Sequence, residues 1–204
     1  MALYNEINVG RFNRFLQKHL GMKGHPPAPQ LSSDMQVGFN IHSDNENLYL
    51  EGWESFGVNV LQPAQAGLLN EVRLSNPSTS NVIALVTKVS ASSAGIARID
   101  LQIGPQAALL GTSQLVRSLD ARGRAQSTLL CTTATPAAQS QIGANIDSLY
   151  SGGSGIHVDL LLTSMHAIVL PPLGALQLSS AAVNIQTNLG FWWRERFLEE
   201  GERF

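Results

Sequence analysis

Charge is scarce in this 204-residue chain. Asp, Glu, Lys and Arg make up 14% of it, against about 25% in an average soluble domain. The polar surface must therefore come from Ser, Thr, Asn and Gln. Such a surface suits a protein that rests against other proteins, and it is also common in all-β domains. The formal net charge of −2 excludes a nucleic-acid binder that works by bulk electrostatics. One cysteine, Cys131, excludes an internal disulfide. No run of 18 apolar residues exists, which excludes a membrane-spanning helix. The early basic residues are followed by no apolar stretch of the signal-peptide kind, so the chain is expected to be made and folded in a cytosol. Asn76-Pro77-Ser78 is the one Asn-x-Ser/Thr triplet, and its proline disqualifies it as a glycosylation site.

Catalytic patterns are missing as well. His19, His25, His42, His157 and His166 show neither the i, i+4 spacing nor the H-E-x-x-H pattern of a helical zinc site. His157 and His166 lie in successive β-segments and would face each other if those segments formed a hairpin. A lone histidine can also meet its copies on a symmetry axis. Cys131 stands in an apolar strand with no basic neighbour to lower its pKa, so it reads as a small core hydrophobe. The glycine run 151–155 lacks the lysine and hydroxyl of a phosphate-binding loop, and it is no Gly-x-Ser-x-Gly elbow. Asp100 and Asp159 are the two acids in clear strands after residue 60. They are the one pair available to a glycan hydrolase, which needs two carboxylates facing each other. The segment 120–124, with Asp120, Arg122 and Arg124, reads as a charged turn, either solvated or touching an acidic partner. The reading is of a non-enzyme with no cofactor and no metal.

What the sequence does contain falls into three parts. Residues 1–24 carry Val9, Phe12, Leu16 and Leu20 at helical spacing, with Phe15 alongside. Arg11, Arg14, Lys18 and Lys23 set against Glu6 give this segment a net +3. It reads as a basic amphipathic helical arm whose apolar stripe needs a surface, because an isolated helix this short is marginal in water. That surface is its own β-domain, a neighbouring subunit or partner, or else a membrane or nucleic acid. Residues 25–51 form a polar linker opened by His25-Pro26-Pro27-Ala28-Pro29, which stops the helix and extends the chain by about 3 Å per residue. A weak strand signal runs over 35–41.

Residues 52–204 read as strands. Apolar alternation recurs at 53–61, 72–74, 81–90, 96–103, 127–135, 157–163, 165–170, 175–178 and 183–193, punctuated by Ser75-Asn76-Pro77-Ser78, Gly104-Pro105 and Pro171-Pro172-Leu173-Gly174. No amphipathic helices intervene, which argues against βαβ units. The expected fold is mainly β: an antiparallel β-sandwich or jelly-roll-like domain with the helical arm at its N-terminus. Residues 104–126 and 136–155 read as long connections, with a short helix possible over 137–150. Near the end, Trp192, Trp193, Arg194 and Arg196 bring together the residue types that anchor protein interfaces. Alternate strand residues face opposite ways, so one tryptophan is expected in the core and the other at a partner.

Three stretches together resemble small virion structural proteins of tailed bacteriophages: residues 4–18, residues 72–84 and the closing Trp193-Arg194-Glu195-Arg196. The resemblance covers about a fifth of the chain and rests on no mechanistic motif. It implies an oligomeric knob, trimeric by preference, tied to a shell by a terminal arm and located in a virion assembled in a bacterial cytoplasm. The implied function is a capsid decoration or cement protein that binds the major capsid protein or another virion protein, with no nucleic acid and no membrane. Val9, Arg11, Phe12, Arg14, Phe15, Leu16, Lys18 and Leu20 of the arm, with Trp192, Trp193, Arg194 and Arg196, would make the contacts. Two alternatives stand beside it: a tail, baseplate or fibre module that binds carbohydrate, and a glycan-acting enzyme on a β-sandwich.

Overall fold

The computed structural model describes residues 54–105, 111–120, 126–153, 156–162 and 167–198. The chain divides into two units, Met1–His42 and Ser43–Phe204. Every described residue belongs to the second unit, so the arm and the 35–41 strand lie outside the described residues.

Twelve strands form in chain order: β1 Glu54–Gln62, β2 Glu71–Ser75, β3 Val82–Ser93, β4 Ile96–Pro105, β5 Thr112–Gln114, β6 Arg117–Ser118, β7 Leu130–Ala134, β8 Ala144–Gly152, β9 His157–Leu161, β10 Ile168–Leu170, β11 Gly174–Ser180 and β12 Thr187–Phe197. All pairings are antiparallel. Sheet A runs β10-β3-β12-β1-β6, with β9 also on β3. Sheet B runs β5-β7-β2-β11-β4-β8. A single apolar core drawn from both sheets is centred on Phe56, Leu74, Ile99, Leu101, Leu176, Leu178, Phe191 and Trp193.

The pairings have a simple order. β1 pairs β12, β2 pairs β11, β3 pairs β9 and β10, and β4 pairs β8. The first half of the domain therefore folds back on the second as one long hairpin, and successive rungs go alternately to sheet A and sheet B. The hairpin tip carries an elaboration containing β5, β6 and β7, which extend the sheets beyond β1 and β2.

Local sequence explains the strand faces. In β12, Leu189, Phe191 and Trp193 point inward, whereas Asn188, Gly190, Trp192, Arg194 and Arg196 take the other parity. In β3 the buried apolar residues are Val82, Ala84 and Val86, then Val89 and Ala91. The alternation slips by one at Thr87-Lys88. The ladder slips with it, since Trp192 pairs Lys88 while Trp193 pairs Val86. This bulge keeps both halves of a twelve-residue strand facing the core. The Thr87 hydroxyl donates to the Trp192 carbonyl across it (3.2 Å).

The turn at 75–78 is more than punctuation. Asn76 is fully buried, and its side-chain amide donates to the carbonyls of Val82 (2.9 Å) and Leu170 (3.0 Å). Its own carbonyl accepts from Leu173 N (3.0 Å). One residue thus ties β3, β10 and the 171–174 turn together, the strands through its side chain and the turn through its backbone carbonyl.

Two sequence expectations need correction. The possible helix over 137–150 does not form: residues 144–152 are β8, the edge strand on β4. Leu149 and Ser151 are buried and alternate with exposed Tyr150, and pairing with β4 outweighs local helix preference. The connection 104–126 likewise contains the short strands β5 and β6.

The central strands of sheet B, β2 and β11, are buried on both faces. All five residues of β2 are buried, because segment 136–143 lies across its outer side. Register places Thr132, Arg73, Gln177 and Gln102 in one row across this face, and Glu71, Ser179, Asp100 and Ser148 in the next. The Glu71 carboxylate accepts from Ser140 N (2.7 Å), from the Ser140 hydroxyl and from Ser179 Oγ (2.9 Å). Arg73 Nε and Nη2 donate to Gln177 Oε1 (3.0 and 2.7 Å), and Gln177 Nε2 donates to Ser140 O (2.9 Å). Gln139 Nε2 donates to Asp100 Oδ2 (3.0 Å). The strap is fastened by these charge-assisted bonds and by Ile142, which is buried.

Candidate interaction surface

The outer face of sheet A carries no such cover among the described residues, and Trp192 lies at its centre. Glycines on neighbouring β1 and on β12 itself make room. A Cβ on Gly57 would come within 3.0 Å of Trp192 Cδ1, and one on Gly190 within 2.9 Å of Trp192 Cζ3. Two glycines on adjacent strands thus seat the indole against the sheet. Lys88 Nζ stands 4.8 Å from the ring centroid, a cation–π arrangement. The same ammonium pairs with Asp159 (2.7 Å), whose other oxygen lies 2.9 Å from His157 Nε2.

Cations surround this cluster. Arg194 and Arg196 follow Trp192 on the same face of β12. Burial lowers the pKa of Arg194, and Arg196 donates to the Phe197 carbonyl (3.1 Å). Arg117 pairs opposite Gly57 from β6. Leu119 lies beside the indole seat. It is exposed, as are Leu161 and Val169 on β9 and β10. Among the described residues, Lys88, Arg117, Arg194 and Arg196 stand against Asp159 on this face, a cationic balance in a chain of net −2.

The two tryptophans separate as strand alternation requires. Trp193 is 1% exposed and stacks on Phe56, with ring centroids 6.1 Å apart. Its indole N–H donates to Glu195 (2.7 Å). Trp193 therefore presents no surface to a partner. The signal for this was in the sequence: Trp193 shares parity with Leu189 and Phe191, and Trp192 shares it with Arg194 and Arg196. Glu195 is buried too. Its carboxylate also accepts from the Ser127 hydroxyl and from Thr128 N and Oγ1 (3.1 and 3.0 Å). Nothing in the sequence pattern announced that role. Val9, Arg11, Phe12, Arg14, Phe15, Leu16, Lys18 and Leu20 lie outside the described residues, as do Arg122 and Arg124.

Asp100 and Asp159 do not form the facing pair that a glycan hydrolase needs. Asp100 projects from the outer side of sheet B and Asp159 from the outer side of sheet A, so the core lies between them. Each is already engaged. Asp100 binds Arg98 (3.0 Å), Gln139 (3.0 Å) and Ser148 (2.7 Å). Burial pushes the pKa of Asp100 up, but the hydrogen bonds from Gln139 and Ser148 and the charge of Arg98 outweigh it, and the net direction is down. His157 partners Asp159, and His166 lies outside the described residues. No group of three His, Cys, Asp or Glu side chains arranged to hold a metal occurs among the described residues. Cys131 is buried, and burial pushes its thiol up to about 12.

Compared with protein-family models, with curated proteins and with solved structures, the chain matches none.

Proposed function

We propose that the chain is a virion structural protein, a capsid decoration or cement protein that binds the major-capsid shell as a trimer. The observation that carries this reading is the strand order. β10/β9-β3-β12-β1 in one sheet and β2-β11-β4-β8 in the other are what a single hairpin gives when it is rolled into two four-stranded sheets. That is the jelly roll, an architecture of viral capsid and lectin domains. A fold alone does not fix a function, so the surface matters as much. The outer face of sheet A offers an aromatic residue ringed by arginines and a lysine, the composition of interface anchors. Its cationic balance suits an acidic shell surface, and the basic arm at residues 1–24 adds to the same attraction.

Electron microscopy of particles carrying the labelled protein tests the reading directly. Density on the head at regular shell positions is expected. Label confined to the tail overturns the decoration role. Removing residues 1–24 is expected to leave a folded β-domain that no longer binds shells; full occupancy by the truncated protein would refute the role of the arm.

A further inference from the structure

The elaboration at the hairpin tip builds something that the rolled eight-strand core does not require. β5 and β7 extend sheet B until their ends stand opposite the last residues of β1, and a groove of about 420 Å³ opens between them. Small-ligand sites fall in the range of roughly 300–1,000 Å³. We infer that this groove is a binding site for a neutral polyhydroxylated ligand, a short uncharged oligosaccharide.

The lining decides the chemistry. Its polar groups are the amides of Gln62, Gln65 and Gln114 and the hydroxyls of Thr112, Thr133 and Thr135, and among the described residues no charged one lines it. A phosphate or carboxylate would be desolvated here without a cation to receive it, and an ammonium without an anion. Among the described residues no aromatic ring lines the groove either, so none of them stacks on a planar base. Amides and hydroxyls supply paired donors and acceptors, which match the vicinal hydroxyls of a sugar.

The walls are partly committed and partly open. Gln114 Nε2 donates to Thr133 Oγ1 (3.0 Å), which in turn donates to the Thr112 carbonyl (3.3 Å). This chain fixes the β5–β7 side. Gln62 is 5% exposed and crosses from sheet A to donate to the Ala134 carbonyl (3.2 Å). Its Oε1 has no donor, and neither has Thr187 Oγ1 a partner, although Gln62 and Thr187 are direct neighbours in the β1–β12 ladder. An unmet buried acceptor is costly. A ligand hydroxyl donating to Gln62 Oε1 would satisfy this acceptor while Nε2 keeps its bond to Ala134.

The test uses the full chain on an array of neutral and acidic glycans, followed by methyl NMR titration with a neutral oligosaccharide from the array. Neutral glycans are expected to bind, with shifts at the methyls of Val60, Thr133 and Thr135. Gln114→Ala is expected to weaken binding about 10-fold, the worth of one good hydrogen bond to the ligand, without lowering the melting temperature by more than a few degrees. Gln62→Met keeps the volume and removes the amide, and is expected to abolish binding while the fold persists. Absence of any neutral glycan binding tighter than about 10 mM overturns the inference. So do preferential binding of acidic glycans and shifts centred on Trp192 in place of the groove. Shell binding is read on a different face, so either proposal can fail alone.

Discussion

Replacing Glu71 tests the account of sheet B most sharply. Its carboxylate is fully buried and receives Ser140 N, the Ser140 hydroxyl and Ser179 Oγ. Hydrogen bonds to a charged group contribute about 1.5–3 kcal/mol each, but they are not additive and they offset the cost of burying the charge. Breaking a buried charged cluster by removing one member costs about 3–5 kcal/mol. Glu71→Ala should fall in that range. It strands the Ser140 amide and removes the negative charge that supports buried Arg73, whose pKa burial lowers and Glu71 raises. Glu71→Gln keeps the shape but turns an NH₂ group toward a donor, so about 2–3 kcal/mol is expected. Ser140→Ala loses a hydroxyl and keeps the backbone bond, so about 1–1.5 kcal/mol is expected. Urea unfolding followed by circular dichroism measures all three. In a domain of this size the alanine variant should melt roughly 10 °C lower. Hydrogen exchange adds a local reading, since the amides of Ser140 and Ile142 should lose protection first. If Glu71→Ala unfolds within about 1 kcal/mol of the parent, the strap is not held by this carboxylate and the reasoning fails.

Other outcomes follow from the same structure. The pKa of Asp100 lies below its ordinary 3.8 in the folded state, so its contribution is present above that pH and is lost as pH falls through the folded value. Asp100→Asn should therefore cost about 1–3 kcal/mol at pH 7, with the gap to the parent closing as pH falls below 3.8 and through the folded value; a gap independent of pH in urea titrations would contradict this. Cys131, with its thiol pushed up to about 12, should resist a thiol reagent at pH 8 until the domain unfolds, and labelling at the rate of a free thiol would show that the strand opens. Trp193→Ala should cost about 3–5 kcal/mol. Trp192→Ala should cost less than about 1.5 kcal/mol and weaken shell binding, so equal destabilisation by the two substitutions would refute the assignment of faces.

Much of the fold was written in local patterns. The alternation in 82–91 reports a strand, and its slip of phase at Thr87-Lys88 reports the bulge. The parity of Trp193 with Leu189 and Phe191 reports which indole is buried. The site was legible in part. Trp192, Arg194 and Arg196 stood out by residue type, whereas Lys88, Asp159 and the seat formed by Gly57 and Gly190 depend on which strands lie side by side. Period-two alternation says that a strand has two faces; it does not say which strand comes next or how far the register is shifted.

By itself the sequence determined a β-sandwich without disulfides, a buried Cys131 and the inward faces of the long strands, because hydrophobic burial acts on each strand separately. The tertiary structure alone decided the rest. Val72-Arg73-Leu74 reads as a short alternating strand, and local alternation does not say what covers Arg73; all five residues of β2, Glu71–Ser75, are buried. The strap that buries them comes from 136–143, more than sixty residues away in sequence, and residues just beyond it choose pairing with β4 over the helix that their local pattern permits. Contacts at that distance depend on chain topology and on partners satisfying each other's polar groups, which no local window contains.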